Sequence, residues 1–525
     1  MISKKSFWIS LMAVFSVCAG YYFHSLSQTE GNFTYPIDDA YIHLAIAKKF
    51  SENHIWGVTS HQFSSTSSAP LFTFILSFLI TVFGNHDIIP LLFNIFFGAG
   101  IIYILNKYYS QYFAKSSHIV LATLFTVFFS LLHLHVLMGM EHIFQVFLFA
   151  VNIYCLSQKD KSKIASGVFF STLFLMGLVR FESMFYFVIL AFVFLILKNW
   201  RDALLVLIIG FLPIVLFCCF NFQQSGYYFP NSVVVKGTRL SLDSTLFNQI
   251  KNIFIHKLLL NISFYKIGIF PILICILIIR KSWKGNKFSD IIKNNFLLVV
   301  FSLLMICHTL FADLKGAFRY EAYILVGFSM AIIPKIINLF ENFRSFIKEE
   351  TLLSFLIVMN IFLMIYKLNS GHQLLRYGSK NIYEQQVQSA RFLNQYYNHA
   401  KVVANDIGAI TYFTDIRLLD IAGLASTETI VFNEKNAVFG SEFKSFLTDY
   451  CDDHQFEIAV VYEDWLQGQI PDNWRKVADL TIQNKTTVAN SRVSIYSIDQ
   501  TKIDLLKENI KRFKWNRNVS LEIIN

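Results

Sequence analysis

The sequence predicts a polytopic α-helical membrane protein with a C-terminal extracytoplasmic α/β domain. Three observations lead there. Of 525 residues, 54% are hydrophobic and only 15% are charged, for a mean hydropathy of +0.48, a balance that soluble chains rarely have. Apolar runs close to spanning length recur through the first part of the chain. Beyond about residue 380 they give way to short apolar runs between charged, helical stretches, the pattern of an α/β domain. The division is 1–370 for the membrane part and 371–525 for the domain.

Charge follows the same division. Residues 370–525 carry 17 Lys/Arg and 19 Asp/Glu, and the remainder carries 28 and 16, so the net charge of +10 belongs to the membrane part. There it reads as loop bias and contact with membrane lipids, not as a nucleic-acid surface. Six of the seven cysteines (Cys18, Cys155, Cys218, Cys219, Cys275 and Cys307) lie in apolar segments and Cys451 stands alone, so no disulfide framework or metal-type spacing exists. No P-loop, Gly-rich dinucleotide motif or internal repeat is present.

Candidate spans fall at 7–24, 88–105, 118–137, 142–157, 164–179, 183–197, 203–222, 262–280, 294–311, 322–340 and 351–368. The first is read as an uncleaved span, because no small-residue cleavage site follows it. The run 70–84 is read as re-entrant or interfacial. The clusters Lys159/Lys161/Lys163, Lys198/Arg201, Arg280/Lys281/Lys284/Lys287 and Lys335/Arg344/Lys348, together with Lys4 and Lys5, all fall on one side only if that run does not cross. Eleven spans then leave the N-terminus cytoplasmic and the C-terminal domain outside. Within the domain, 384–397 reads as an amphipathic helix, and 402–404, 417–421, 457–461, 477–482 and 493–498 read as strands.

This topology sends the polar clusters to one side. Asp38 and Asp39 follow the first span at a helix start, where the plain reading is capping. About 100° apart on a helix, one can cap while the other faces a cavity, and Asp39 shares a face with His43. The run Ser64-Ser65-Thr66-Ser67-Ser68 reads first as a flexible linker, and second as a loop for sugar or phosphate. Glu141 and His142 form a tight outer turn, and Arg180 and Glu182 form another. Asn231 and Lys236 open the long outer loop, with Lys236 a phosphate contact. Asp313, Lys315, Arg319 and Glu321 crowd the next loop, where Arg319 offers a planar fork suited to phosphate. Acids, cations and aromatics beside apolar walls suit an amphiphilic donor: lipid tail in a groove, phosphate on Arg/Lys, sugar near an acid.

The stretch Asp38-Asp39-Ala40-Tyr41-Ile42-His43, with Ala47-Lys48-Lys49-Phe50 and Gly57, resembles the first outer loop of bacterial GT-C glycosyltransferases of the D-D-A-[YF]-I type, which include arabinofuranosyltransferase-like proteins. The serine run, Gly139-Met140-Glu141-His142, Arg180-Phe181-Glu182, Pro230-Asn231-Ser232, Arg319-Tyr320-Glu321-Ala322-Tyr323 and Asn405-Asp406-Ile407-Gly408-Ala409 with Asp415, Arg417 and Asp420 also look like motifs of this group. The resemblance implies a GT-C-like fold in the bacterial cytoplasmic membrane. It implies transfer of a hexose or pentose from a polyprenyl-phosphate donor to an envelope glycan or lipid acceptor on the outer side. An acid of the first outer loop would be the base or hold a metal, a role that falls on Asp38 or Asp39. Asp38 is preferred because Asp39 can pair with His43. Arg319, then Arg180 and Lys236, would hold the donor phosphate, with His43, Glu141, His142, Glu182, Asn231 and Glu321 in support. A divalent cation is the one cofactor left open, and its ligands are unknown. The competing readings are a transporter or flippase for a lipid-linked or anionic solute, which would place polar groups near the midplane, and a non-catalytic envelope scaffold.

Overall fold

The computed structural model describes residues 4–236, 245–283, 285–312, 314 and 317–524. Every apolar segment expected from the sequence forms a helix or a short run of broken helices. Among the described residues, Lys4–Gln28, Ile89–Tyr109, Trp200–Ser225 and Thr351–Tyr397 are long and apolar enough to cross a membrane, and Phe288–Asn294 with Phe296–Phe311, bent by 81°, make a fifth as a pair. Others, such as Ser183–Ile196 with 14 residues, fall below the roughly 20 residues a perpendicular crossing needs, so the eleven-span reading rests on the loop charges rather than on helix length.

The breaks have local causes. Leu131, in the left-handed region at φ 55°, separates Ser116–Phe129 from Leu132–Leu137. Gly268 separates Ile262–Ile267 from Ile269–Lys281. The last long helix does not stop at the expected domain boundary. Thr351–Ile382 runs unbroken past residue 370 and continues through a π-helical turn, Tyr383–Val387, into Gln388–Tyr397. A rigid rod therefore carries the membrane part into the domain.

The domain is built on a six-stranded sheet of β1 (Lys401–Ala404), β2 (Arg417–Asp420), β3 (Ile458–Val461), β4 (Arg475–Thr481), β5 (Arg492–Ser497) and β6 (Ser520–Ile523), ordered β2-β1-β3-β5-β4-β6. The first five match the expected strands; β6, alternating Ser-Leu-Glu-Ile, carries too little apolar signal to be read. β1 pairs in parallel with β2 and β3, and the remaining pairs are antiparallel. Side chains alternate across the sheet. Val402, Ala404, Ile458 and Val460 join the core shared with the membrane helices, while Val403, Ala459 and Val461 pack with Phe443, Leu447 and Trp474 on the far face. Burial on both faces is why these strands read as continuous apolar runs.

Small residues allow one close helix crossing. A Cβ on Gly177, in Lys163–Val179, would lie 2.7 Å from the backbone oxygen of Gly210 in Trp200–Ser225. A Gly177→Leu substitution is expected to force these helices apart and destabilise the protein by about 1–3 kcal/mol, read as a lowered thermal midpoint in detergent.

Candidate functional site

The two adjacent aspartates part company. Asp38 does not cap the helix that follows it, Asp39–Asn53. Its carboxylate instead accepts from the backbone N–H of Gly408 (2.6 Å) and Ala409 (2.8 Å), the first residues of Gly408–Phe413 in the C-terminal domain. Gly408 is required: a Cβ there would stand 2.2 Å from the Asp38 carbonyl oxygen. Neighbouring contacts reinforce the joint. Lys48 Nζ donates to Tyr412 O (3.1 Å), Lys49 Nζ to Asp415 (2.9 Å), and Ser60 also donates to Asp415. The expectation of a simple helix cap at Asp38 is thus corrected to an inter-domain clamp, and the Asn-Asp-Ile-Gly-Ala motif supplies its other half.

Asp39 faces a cavity of about 310 Å³. Its wall is drawn from the start of helix Asp39–Asn53 (Asp39, His43), the serine run (Thr66, Ser67, Ser68), the turn with Arg180 and Glu182, the long loop (Ser232, Lys257), Arg319 and Tyr320, and Leu424 of the domain. Arg319 Nη2 donates to Asp39 Oδ2 at 2.7 Å. Burial disfavours the Arg319 charge, but Asp39 more than restores it. Among the described residues, Arg319 Nε and Nη1 are buried without a hydrogen-bond partner.

Arg180 is already committed. Nε donates to Glu182 (3.0 Å), Nη2 to its other oxygen (2.5 Å), and Nη1 to Glu141 (2.5 Å) with His142 Nε2 at 3.3 Å. The guanidinium carbons of Arg180 and Arg319 lie 4.9 and 5.3 Å from the centre of the Tyr320 ring, so one ring gathers both cations. Burial alone would raise the Glu141 carboxyl; His142, His43 and Arg180 around it hold it well below the usual carboxylate range. His43 Nε2 lies 3.3 Å from Glu141, while Nδ1 is 2.9 Å from Thr73 Oγ1 and 3.2 Å from Ser67 Oγ. The expected Asp39–His43 pair is therefore corrected: His43 turns to Glu141 and the serine run.

That run is no flexible linker. Ser64, Ser65, Thr66 and Ser67 are buried; Ser67 Oγ pairs with Thr73 Oγ1 and accepts from Ala69 N. Asn231 ties the assembly together, its N–H donating to Ser65 O (2.8 Å) and its side chain to Leu424 O (3.1 Å). Asp420 shapes the loop that presents Leu424, accepting from Ala422 N and Ala425 N, each at 2.8 Å. Glu321 is buried at the start of Ala322–Ile332 and does not line the cavity. The side chain of Lys236, and Asp313 and Lys315, lie outside the described residues. Lys257 and Leu424 are wall residues outside every motif; a basic residue in a stretch without Asp or Glu from 245 to 289 was the only signal for Lys257. Among the described residues no group of three His, Cys, Asp or Glu is arranged to hold a metal ion, and Asp38 and Asp39 diverge rather than share a site.

Against known proteins, a family described as a domain of unknown function (DUF8728) matches residues 380–496. No curated protein sequence matches the chain. Among solved structures, the crystal structure of ArnT from Cupriavidus metallidurans bound to undecaprenyl phosphate aligns over 94% of this chain and 98% of its own, with a TM-score of 0.53 at 10% identity. That likeness speaks to the fold alone: helices and C-terminal domain are arranged as in ArnT.

The clamp makes a pH prediction. Burial and the nearby Asp406 push the Asp38 carboxyl up to about 8, against the pull of the Ala409 and Gly408 amides. Because the folded value exceeds the ordinary carboxyl value of 3.8, the stability Asp38 contributes is fully present below 3.8 and is lost as pH rises through about 8. The thermal midpoint of the wild type is expected to fall across this window more steeply than that of Asp38→Asn, in which the titrating group is gone.

Proposed function

We propose that this protein is a membrane glycosyltransferase that takes a sugar from a polyprenyl-phosphate donor on the outer face of the bacterial cytoplasmic membrane. The acceptor is an envelope glycan or lipid. The observation that carries the reading is the Asp39–Arg319 pair on the cavity wall: an anionic oxygen for an acceptor hydroxyl, beside a guanidinium with two further nitrogens, Nε and Nη1, to spare. The ArnT likeness supports it, since that fold holds undecaprenyl phosphate in the neighbour. So does the loop-charge topology of eleven spans, which sends both aspartates and the C-terminal domain to one side.

The chemistry assigns one role to each group. The acceptor hydroxyl attacks the anomeric carbon as the bond from that carbon to the phosphate oxygen breaks. Its proton passes to the Asp39 carboxylate. Positive charge growing on the sugar is stabilised by the same carboxylate, and negative charge growing on the departing phosphate by Arg319. The chemical role thus goes to Asp39 rather than Asp38, which the domain already holds. Arg319 stands ahead of Arg180 for the phosphate, because Arg180 is bound by two carboxylates. Ser67, Ser68 and Thr66 offer hydroxyls to the sugar.

In a strain lacking the gene, complemented with variants, surface glycan is read by mass spectrometry. Asp39→Asn is expected to lower transfer by about 10²–10⁴-fold, whereas Asp38→Asn retains measurable product. Normal glycan from Asp39→Asn would sink the base assignment, and export of a lipid-linked solute without sugar transfer would favour a transporter. Binding of undecaprenyl phosphate to the purified protein is expected to weaken about tenfold to a hundredfold in Arg319→Ala, the loss of a charge-assisted contact.

A further inference from the structure

The long outer loop holds a helix that the transfer chemistry does not use. Leu246–Ile253 runs into a π-helical turn, Phe254–Leu259. At about 100° per residue, Phe247, Ile250 and Phe254 share one face, flanked by Leu246 and Ile253, while Asn248 and Asn252 take the opposite one. The apolar face is uncovered, with Phe247 78%, Ile250 51% and Phe254 46% exposed. The ridge continues through Leu259, Leu260 and Ile262, all exposed, towards the apolar helix Ile269–Lys281. No Asp or Glu occurs from 245 to 289, whereas Lys251, His256, Lys257 and Lys266 do.

An apolar ridge continuous with an apolar membrane helix and flanked by basic groups alone is complementary to the boundary between anionic headgroups and acyl chains. We propose that residues 246–262 seat in the outer leaflet as an interfacial helix, and that this seat holds Lys257 at a lateral portal where a lipid phosphate reaches the cavity. Lys257 lines that cavity with Asp39 and Arg319. The role of Lys257 rests on the donor reading of the cavity; the seat of the helix rests on its uncovered face.

The test uses the full chain in nanodiscs of phosphatidylethanolamine and phosphatidylglycerol. A photoreactive benzoylphenylalanine replaces Phe247, Ile250, Phe254, Asn248 or Asn252 in turn, and adducts are identified by mass. Lipid adducts are expected from the first three positions and not from the two asparagines. Adducts to a second copy of the chain, equal lipid labelling on both faces, or no lipid adduct would overturn the seat. A second variant, Phe247→Glu with Ile250→Glu, is expected to bind undecaprenyl phosphate normally in detergent and about tenfold more slowly in nanodiscs. Equal slowing in both would make the helix part of the cavity wall and overturn its membrane role. Failure of the wild type to bind undecaprenyl phosphate in either medium would instead overturn the donor reading and the role of Lys257, with the adduct pattern still deciding the seat.

Discussion

Two backbone amides at the start of a six-residue helix, pointed at one carboxylate, hold the two halves of this molecule in register. Asp38 accepts from Gly408 and Ala409, and its neighbour Asp39 is thereby presented to the cavity. Hydrogen bonds of this kind, with the carboxyl neutral below about pH 8, contribute about 0.5–1.5 kcal/mol each. Position matters as much as strength here. Asp38 and Asp39 are consecutive, so whatever fixes one fixes the direction of the other. The Lys49–Asp415 pair and the rod from Thr351 to Tyr397 limit rotation about that point.

The cavity behind this clamp divides its cations by duty. Arg180 is locked by Glu141 and Glu182, and breaking such a buried pair costs about 3–5 kcal/mol because a charge is stranded. It therefore serves as a frame, holding the Glu141–His43 contact on one side and the Tyr320 ring on the other. Arg319 shares that ring but gives only one of its nitrogens to Asp39, so it keeps hydrogen-bonding capacity in a place shielded from water. A phosphate meeting Arg319 meets a group already desolvated and oriented, which is the condition for strong electrostatic stabilisation.

Much of the fold was legible because the signals are periodic and local. Apolar runs in lipid must be helical, and β1 to β5 announced themselves through unbroken apolar stretches buried on both sides. β6 was hidden because an edge strand with alternating polarity resembles a loop. Near residue 370 the composition changes while the helix Thr351–Ile382 runs on, so composition and backbone mark different points there. At the site, the acids, Arg180, Glu182, Arg319 and His43 were found as clusters. The serine run reads as a linker, since composition cannot tell a solvated hydroxyl from one satisfied by a buried neighbour such as Thr73.

By itself, then, the sequence determined the class of molecule, the helices, most of the sheet, and the set of residues from which a site could be made. These depend on interactions within a few residues, or on preference for lipid over water. Only the tertiary structure decided which aspartate meets the cavity, which arginine has nitrogens to spare, and that the C-terminal domain helps build the wall. Those outcomes rest on contacts between residues as distant as Asp38 and Gly408, or Asp39 and Arg319, and adjacent identical side chains carry no local mark of which long-range partner each will find.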